Sequence, residues 1–407
     1  QLTKVHSELG FQMVRFHGLL DEDMSVVLQD RYGKQFYSFY NVDYLFDFIL
    51  KLGMKPLVEL SYMPDLLASG PETLFHYKAN VSPPKSHHAW YDLIYQLVKH
   101  LVGRYGIDEV ASWYFEVWNE PNNGAFWSGT QQQYFELYNT SAVAIKTVSQ
   151  RLRVGGPATM QSLWVDDFIQ YCQRYKVPFD FVSTHEYPTD FQPFTRDNLR
   201  IALTKTRALV DKMVSKNFPL LYTEYNAGLD DIGGGTQFFQ DSSYAAAFVV
   251  KSVLDVDGVV DVLRYWTFSD IFEEHGMKSE PFNGQFGMLT IQGIAKPVYR
   301  AFQLLHMAGD RRNQVLYSTN TSTVDVLSVM SREKKEVMLF VSNFDVPDNV
   351  PRSYVALINV NLENGYKLVD NSATLVTVDE NSSNAFTQWK KMGKPAYPTQ
   401  SELKLLH

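Results

Sequence analysis

The segment Trp113-Tyr-Phe-Glu-Val-Trp118, followed at once by Asn119-Glu120-Pro121, decides the fold of this 407-residue chain. A short and mostly apolar run of this length is typical of a buried strand, and a polar Asn-Glu pair stands where the strand ends. A second segment, Leu221-Tyr-Thr-Glu-Tyr225, has the same form and places Glu224 near the end of another apolar run. Both segments therefore predict strands that carry a carboxylate at their C-terminal ends.

The pattern around these two segments continues along most of the chain. Short apolar or β-branched runs alternate with longer amphipathic stretches, which is typical of a parallel sheet built from strand-helix units. The predicted strands are 12–17, 55–61, 113–118, 153–157, 179–185, 220–224 and 262–267. The predicted helices are 42–52, 89–105, 131–151, 164–175, 198–216, 242–255 and 299–306. The fold class is therefore α/β, and we expect a (β/α)8 TIM barrel.

A TIM barrel closes with eight strands, whereas this pattern supplies one fewer. The residues from Leu2 to Gly10 are typical of the end of a helix that stops at a glycine and leads directly into the first predicted strand. We therefore expect the first strand of the barrel to precede Gln1, so that the barrel is truncated at its N-terminus. Glu120 and Glu224 would then end strands four and seven of the intact barrel.

The pattern changes after the last predicted helix. Runs at 324–330, 336–343, 354–360, 366–369 and 373–378 alternate like antiparallel strands. We predict two domains on this basis. The first is the truncated barrel over residues 1–308, and the second is a small antiparallel β domain of the sandwich type over residues 309–407, which we also expect to be incomplete.

Composition excludes several classes of partner. The net charge of −8 and a pI near 5.7 argue against nucleic acid or an anionic lipid surface as the main partner. No apolar run approaches the roughly 18 residues that a membrane span needs.

Cys172 is the only cysteine, so we expect a buried, inert thiol without a disulfide. The pair His87-His88 lacks a third ligand at suitable spacing, so we predict no metal there. The oligomeric state stays open.

Polar and aromatic side chains follow several of the predicted strands, which is where TIM barrels carry their chemistry. These residues are His17, Asn119, Glu120, His185, Tyr187, Glu224, Trp266, Glu273 and Glu274. Two carboxylates that face each other across a cleft suit hydrolysis of a glycosidic bond, since one protonates the leaving oxygen while the other attacks or activates water. We predict Glu120 as the acid/base and Glu224 as the nucleophile.

The two carboxylates and their neighbour have structural alternatives. Glu120 could form an ion pair at the strand end, and Glu224 could be a loop carboxylate. Asn119 could donate to a sugar hydroxyl near the developing charge, or it could cap the turn at Pro121.

The other candidates are predicted to bind the sugar, again with structural alternatives. His185 and Tyr187 would orient the nucleophile and the sugar, although a histidine at a strand end is often a satisfied structural group, and the same holds for His17. The indole of Trp266 could stack under a pyranose or belong to the core. Glu273 and Glu274 are adjacent, so at most one of them points directly at the substrate.

Taken together, these residues resemble glycoside hydrolase family 39, and within it the β-xylosidases more than the α-L-iduronidases. The resemblance runs over nearly the whole chain. Trp118-Asn-Glu-Pro121 alone is typical of the wider clan of retaining barrel glycosidases. Its combination with Tyr265-Trp-Thr-Phe-Ser-Asp270 and Phe272-Glu-Glu274 narrows the resemblance to family 39. Further matching segments are Val14-Arg-Phe-His-Gly18, Asp180-Phe-Val-Ser-Thr-His185, Thr223-Glu-Tyr-Asn226 and, in the accessory domain, Met392-Gly-Lys-Pro-Ala-Tyr-Pro398.

The resemblance implies a retaining exo-glycosidase without metal or organic cofactor, whose partner is a small carbohydrate or glycoside. Glu224 would attack the anomeric carbon while Glu120 protonates the leaving oxygen and later activates water, with the carboxyls about 5 Å apart. A β-D-xylosidase that releases xylose from xylo-oligosaccharides or β-xylosides is the leading prediction. Asn119, His185, Tyr187, Trp266 and Glu274 match residues of the sugar site of the family, and we include His17 with them.

Two departures from the family pattern bear on the substrate. Asn283 and Gln285 stand where the xylosidases carry a histidine and a glycine. An α-L-iduronidase or another pyranosidase of the family is the first alternative, although it would need a cation facing the substrate carboxylate, and Lys278 is the clear candidate in the last two loops of the barrel. A non-catalytic carbohydrate-binding protein is the second alternative.

Overall fold

A computed structural model describes residues 1–229, 239–272, 276, 278–315, 323–331, 333, 336–346 and 373–407. Within them, a parallel sheet is formed by Met13–Val14 (β1), Lys55–Leu60 (β2), Tyr114–Val117 (β3), Val154–Thr159 (β4), Phe181–Glu186 (β5), Leu220–Tyr225 (β6) and Val262–Tyr265 (β7). Strands that follow one another along the chain are neighbours in the sheet. All the predicted barrel strands are therefore confirmed. The first is shorter than expected because it pairs on one side only, with β2.

The sheet curls so that its two ends approach each other. Nη2 of Arg264 in β7 lies 3.3 Å from Sδ of Met13 in β1, although these two strands share no backbone ladder in the described part of the chain. The first and last barrel helices, Leu2–Leu9 and Pro297–His306, also meet, and the Tyr299 hydroxyl donates to Glu8 across 2.8 Å. The fold is the α/β barrel type that the sequence predicts. The further strand expected before Gln1 stays a prediction.

Helices cover the outer face of the sheet and begin at recognisable caps. Those between the first and last are Tyr40–Lys51, His87–Tyr105, Ile107–Val110, Gln131–Val148, Val165–Tyr175, Asn198–Met213 and Ser243–Val256. The hydroxyl of Ser86 accepts from the backbone of Ala89, and Thr130 forms a capping box with Gln133. None of the described helices combines the length and apolar character needed to cross a bilayer.

Shorter elements lie in the loops between the barrel strands and helices. Val27–Gln29 pairs with Gln35–Tyr37, and Thr73–Leu74 pairs with Ala79–Asn80, in two antiparallel hairpins. Single 3-10 turns lie at Glu22–Met24, Met160–Ser162, Pro188–Asp190 and Phe239–Asp241.

The core lies between the sheet and the helices and is rich in aromatic rings. Trp113 packs edge-on against Phe46 with ring centroids 5.5 Å apart, and Tyr138 packs edge-on against Phe168 at 4.6 Å. Cys172 is free and buried in this layer, and burial raises the pKa of its thiol. The prediction of an inert thiol is consistent with this environment.

A second, antiparallel sheet follows the barrel and packs against it. It consists of Arg311–Asn313, Val324–Ser331 and Glu336–Asn343, which confirms the strands predicted at 324–330 and 336–343. Phe344 packs on Tyr244 and Phe248 of a barrel helix, with ring centroids 5.1 and 5.7 Å apart. The predicted division at residue 309 stays a prediction.

The last part of the described chain is helical rather than stranded. The strand predicted at 373–378 is wrong, and Leu375 within it is 88 % exposed, so its alternation does not mark a buried face. The helices Ala385–Lys391 and Gln400–Leu406 were not predicted, and they bury Trp389 and Leu406 against Phe282 of the barrel. The strands predicted at 354–360 and 366–369 lie outside the described residues.

Candidate active site

Side chains from several strands converge at the C-terminal end of the barrel. A shift in register between Tyr222 and Glu224 interrupts the pairing of β6 with β5. Regular alternation would send Thr223 and Glu224 to opposite faces, whereas this bulge lets both reach the interior, where Thr223 contacts Glu116 and Glu224 contacts Arg15. The local irregularity of β6 therefore places two neighbouring polar residues in one cluster.

Glu120 follows β3 in an unusual backbone conformation. Its φ of 44° lies in the left-handed region, and its amide donates to the carbonyl oxygen of Ala158 across 2.8 Å. Such strained positions concentrate at functional sites. Oε2 of Glu120 accepts a hydrogen bond from Asn123, and Oε1 faces His185.

The two predicted catalytic carboxylates lie close together, with His185 between them. One oxygen of Glu120, one oxygen of Glu224 and a ring nitrogen of His185 are all within 4.8 Å of one another. Nδ1 of His185 is 2.9 Å from Glu120 Oε1 and 3.5 Å from Glu224 Oε2. Glu120 is 8 % exposed and Glu224 is 4 % exposed, so little water competes for them in this structure.

The Glu224 carboxylate is oriented through both of its oxygens. Nη1 of Arg15 donates to Oε1 across 2.7 Å, and the Tyr187 hydroxyl donates to Oε2 across 2.8 Å. Nε2 of His17 lies 3.8 Å from Oε1. These contacts hold the carboxylate in one orientation through charge-assisted and neutral hydrogen bonds.

Arg15 is the centre of the cluster and was not predicted as a site residue. Its Nε donates to Glu116 across 2.5 Å, while its Nη2 donates to Asn119 Oδ1 across 2.9 Å and lies 2.8 Å from Glu59 Oε2. Burial alone would lower the pKa of this guanidinium, but Glu116, Glu59 and Glu224 together raise it well above its usual value. Arg15 is therefore a permanent cation among three buried carboxylates.

The sequence contains a signal from which this charged cluster could have been predicted. Glu59 and Glu116 are charged residues in the interior of mostly apolar predicted strands, and Arg15 stands two positions before His17 and therefore on the same face of the strand predicted at 12–17. A charge is almost never fully buried unless it is paired, so isolated charges in buried strands point to one another.

His17 and Trp266 form one wall of the site. Nδ1 of His17 lies 2.9 Å from both oxygens of Glu59, and its ring centroid is 4.8 Å from that of Trp266. Burial lowers the pKa of His17, but the charge and hydrogen bond of Glu59 outweigh it and raise the pKa to about 9. Trp266 also packs edge-on against Phe272 at 5.5 Å.

Of the predicted site residues, the structure brings His17, Asn119, Glu120, His185, Tyr187, Glu224 and Trp266 together. Glu273 and Glu274 lie outside the described residues. Among the described residues, Glu120, His185 and Glu224 form a group with the spacing of metal ligands, and a catalytic pair of carboxylates beside a histidine has the same geometry. The predicted absence of a metal stays a prediction.

The residues that depart from the family pattern contact the loop after β7. Asn283 donates to the carbonyl of Glu280 across 2.9 Å, and Gln285 donates to the carbonyl of Gly276 across 3.1 Å. The carbonyl of Gln285 in turn accepts from the buried amine of Lys296, which is 2.7 Å from both Asp241 and Asp270. Asn283 and Gln285 therefore act on the shape of the loop that carries Phe272.

Glu186 is a buried acid that points away from this cluster. Its Oε2 accepts from Ser162 across 2.8 Å, and its Oε1 has no hydrogen-bond partner among the described residues. Burial raises the pKa of Glu186 from 4.5 to about 8, so the folded protein retains a proton there that the unfolded chain has lost. The stability from this retained proton is fully present below pH 4.5 and disappears as the pH rises through 8.

We therefore expect Glu186→Gln to be better tolerated as the pH rises. The amide keeps the shape of the side chain but does not titrate, so the free energy of unfolding of the wild type relative to the variant should fall by up to about 1.4 kcal/mol per pH unit across this window. Urea unfolding at pH 5 and pH 8 measures the difference. Equal differences at both pH values would show that Glu186 does not titrate in this range.

Comparison with known proteins bears on the family and the fold of this chain. The family model "Glycosyl hydrolases family 39" matches residues 1–407. A β-xylosidase of Caldicellulosiruptor saccharolyticus is 41% identical over 416 residues, which cover 100% of this chain and 83% of the relative. A β-xylosidase of Geobacillus stearothermophilus is 34% identical over 430 residues, with 100% and 81% covered.

A solved structure gives the same result for the fold. The family 39 β-xylosidase of Caulobacter crescentus superposes with a TM-score of 0.83 at 31% identity, covering 100% of this chain and 84% of that one. The match to the family model over the whole chain and the identities above confirm the resemblance seen in the sequence. This chain belongs to glycoside hydrolase family 39 and is a glycosidase.

Proposed function

We propose that this glycosidase is a retaining exo-β-D-xylosidase that releases xylose from xylo-oligosaccharides or β-xylosides. The observation that carries the mechanism is the approach of a Glu120 and a Glu224 oxygen to within 4.8 Å. Retaining glycosidases hold their two carboxyls about 5 Å apart, whereas inverting enzymes leave about 6.5–9.5 Å for a water molecule. The two β-xylosidase relatives, which align over the whole chain, support the choice of sugar.

In the first half of the reaction, Glu224 attacks the anomeric carbon and Glu120 protonates the glycosidic oxygen. The C1–O bond to the leaving group breaks as the bond from C1 to the Glu224 oxygen forms. Arg15 and Tyr187 hold the attacking carboxylate in line and spread its charge. In the second half, Glu120 takes a proton from water, the water oxygen bonds to C1, and Glu224 leaves with its electron pair.

The remaining residues are proposed to bind the sugar. The Trp266 indole offers a flat face beside His17 for stacking. Oδ1 of Asn119 accepts from Arg15, which fixes the direction in which its amide group can donate to a sugar hydroxyl. His185 and Glu274 complete the proposed set, the latter from its sequence position alone. Arg15 is fully engaged by carboxylates and Lys278 is exposed, which favours a neutral pentose over a uronide.

A panel of nitrophenyl glycosides tests the substrate. We expect turnover of the β-xyloside to exceed that of the α-L-iduronide, β-glucoside and α-arabinoside. Proton NMR of the first product should show β-xylose, since double displacement retains the configuration. Preferred turnover of the iduronide would overturn the xylosidase assignment, initial release of α-xylose would overturn retention, and sugar binding without turnover would support a binding protein instead.

Replacement of Glu120 tests the acid/base role. Glu120→Ala should lower kcat/KM for xylobiose by about 10²–10⁴-fold, since this leaving group needs a proton. The loss should be much smaller for a dinitrophenyl β-xyloside, whose leaving group departs without one. Azide should accelerate the variant and give a β-xylosyl azide, because it replaces the activated water. Asn123→Ala, which removes a donor to Glu120 Oε2 and an acceptor for the Ala125 amide but keeps the Glu120 carboxyl, serves as the matched control. Equal losses for both substrates would contradict the assignment.

A further inference from the structure

His185 is buried in β5, and both of its ring nitrogens have defined neighbours. Nδ1 faces Glu120 Oε1 at 2.9 Å, and Nε2 lies 3.1 Å from the Thr223 hydroxyl oxygen. The side chain is completely shielded from solvent, so no bulk water replaces either contact. The proton positions on this ring are therefore set by Glu120 on one side and Thr223 on the other.

The single proton of the Thr223 hydroxyl is committed away from His185. Oγ1 of Thr223 donates to Glu116 Oε1 across 2.8 Å, and the other oxygen of Glu116 accepts from Arg15 Nε across 2.5 Å. A charged carboxylate at the shorter distance is a stronger acceptor than a neutral imidazole nitrogen at 3.1 Å. Thr223 must then accept from His185, which places a hydrogen on Nε2.

We propose that Glu116 and Thr223 are positioning residues that keep His185 protonated at Nε2, so that His185 Nδ1 and Glu120 hold one exchangeable proton in common. This proton is the one that reaches the leaving group, and the inference rests on the proposed function. In the resting site the pair is either imidazolium with carboxylate or imidazole with carboxylic acid, and the net charge is the same.

The shared proton explains how a buried carboxyl beside a histidine can act as an acid. Burial raises the pKa of Glu120, but the hydrogen bond and charge of His185 outweigh it and lower the pKa. Glu120 considered alone would therefore lack a proton at neutral pH. When the pair acts as a unit, the shared proton moves from Nδ1 to Glu120, and Glu120 transfers this same proton to the glycosidic oxygen, whose bond to C1 breaks.

The fixed tautomer also prepares the second half of the reaction. After the pair has lost its proton, the lone pair of Nδ1 points at the Glu120 carboxylate instead of donating to it, which makes this carboxylate a stronger base toward water. With hydrogen on Nδ1 instead, neutral His185 would stabilise the Glu120 carboxylate and weaken the base. Water then supplies a proton to the pair while its oxygen bonds to C1 and the C1–Glu224 bond breaks.

Other charged groups act on the same pair. Glu224 on the neighbouring strand β6 lies 3.5 Å from His185 Nδ1, and Arg15, Glu116, His17 and Glu59 belong to the same charged cluster. All of them are present in both variants described next, so a difference between these variants isolates the hydroxyl of Thr223.

Thr223→Val and Thr223→Ser form the matched test. Valine keeps the shape but removes the hydroxyl, which frees neutral His185 to carry its hydrogen on Nδ1 and to stabilise the ionised Glu120. We expect the basic limb of the pH profile of kcat/KM to move to lower pH by about one pH unit. The loss of kcat/KM should be about tenfold or more for xylobiose and much smaller for a dinitrophenyl β-xyloside. Serine should restore both properties. An unmoved basic limb with equal losses for the two substrates would overturn the proposal.

Nitrogen NMR of the folded enzyme tests the tautomer without turnover. In protein labelled with ¹⁵N histidine and assigned with His185→Gln, Nε2 of His185 should carry hydrogen at every pH at which the protein is folded. An unprotonated Nε2 in the wild type would overturn the proposal, even if Thr223→Val proved too unstable to assay. A protein that hydrolyses no glycoside, yet shows the fixed Nε2 hydrogen, would refute the proposed function and leave the structural part of the inference standing.

Discussion

Replacing Glu224 with alanine is expected to lower kcat for an aryl β-xyloside by about 10⁴-fold or more, because the variant lacks the group that forms the covalent intermediate. Binding should change little, since the Trp266 wall and the Asn119 amide stay in place. The measurement is steady-state hydrolysis of nitrophenyl β-xyloside by the wild type and the variant under the same conditions.

Azide makes this prediction specific to the nucleophile. Alanine opens space where the carboxylate stood, so azide can attack C1 from that side and give an α-xylosyl azide, whereas the Glu120 variant should give the β anomer. Tyr187→Phe is the graded control. It removes one donor to Glu224 Oε2 and should cost about 10–10²-fold in kcat without rescue by azide. Formation of a β-xylosyl azide by Glu224→Ala, or full hydrolytic activity of this variant, would show that Glu224 is not the nucleophile.

The strand-helix order and the two carboxylates could be predicted because each is encoded locally. Leu220–Tyr225 is apolar, short and followed by a loop, so both its strand character and the position of Glu224 at its end are visible in the sequence. The bulge between Tyr222 and Glu224 was not predicted. Alternation would separate Thr223 from Glu224, and the irregularity that unites them depends on the pairing with β5, which the sequence does not state.

The same limit explains why Arg15 and the C-terminal helices were missed. Arg15 acts through Glu59, Glu116 and Glu224, which lie on three other strands of the barrel. These contacts exist only in the folded chain. In the C-terminal part, Phe386 and Trp389 are three positions apart behind the cap at Asn384, which is a helix signal. The last predicted strand ends at residue 378, but the predicted β domain continues to residue 407 without a helix, whereas this segment packs on Phe282 of the barrel.

Arg15→Ala is expected to destabilise the fold more than any surface substitution, by about 3–5 kcal/mol. Its removal leaves Glu59, Glu116 and Glu224 as buried carboxylates without their common cation, and the cost of burying such charges is large. Chemical unfolding at pH 7 measures the loss. The loss should shrink in acid, because burial raises the pKa of Glu59 but the charge of Arg15 outweighs it, and the stability gained from this lowered pKa is lost as the pH falls through it.

Two further variants separate charge from geometry in this prediction. Arg15→Lys keeps the cation but cannot contact Glu59, Glu116 and Asn119 in one plane, so it should recover part of the stability and little of the activity. Arg104→Ala is the matched control, since this exposed arginine pairs with Asp43 and Asp47 at the surface, where water and salt screen the charges. If Arg15→Ala were no more destabilising than Arg104→Ala, the buried carboxylates would have to be neutral in the folded protein. Glu224 could then not be the ionised nucleophile that the mechanism requires.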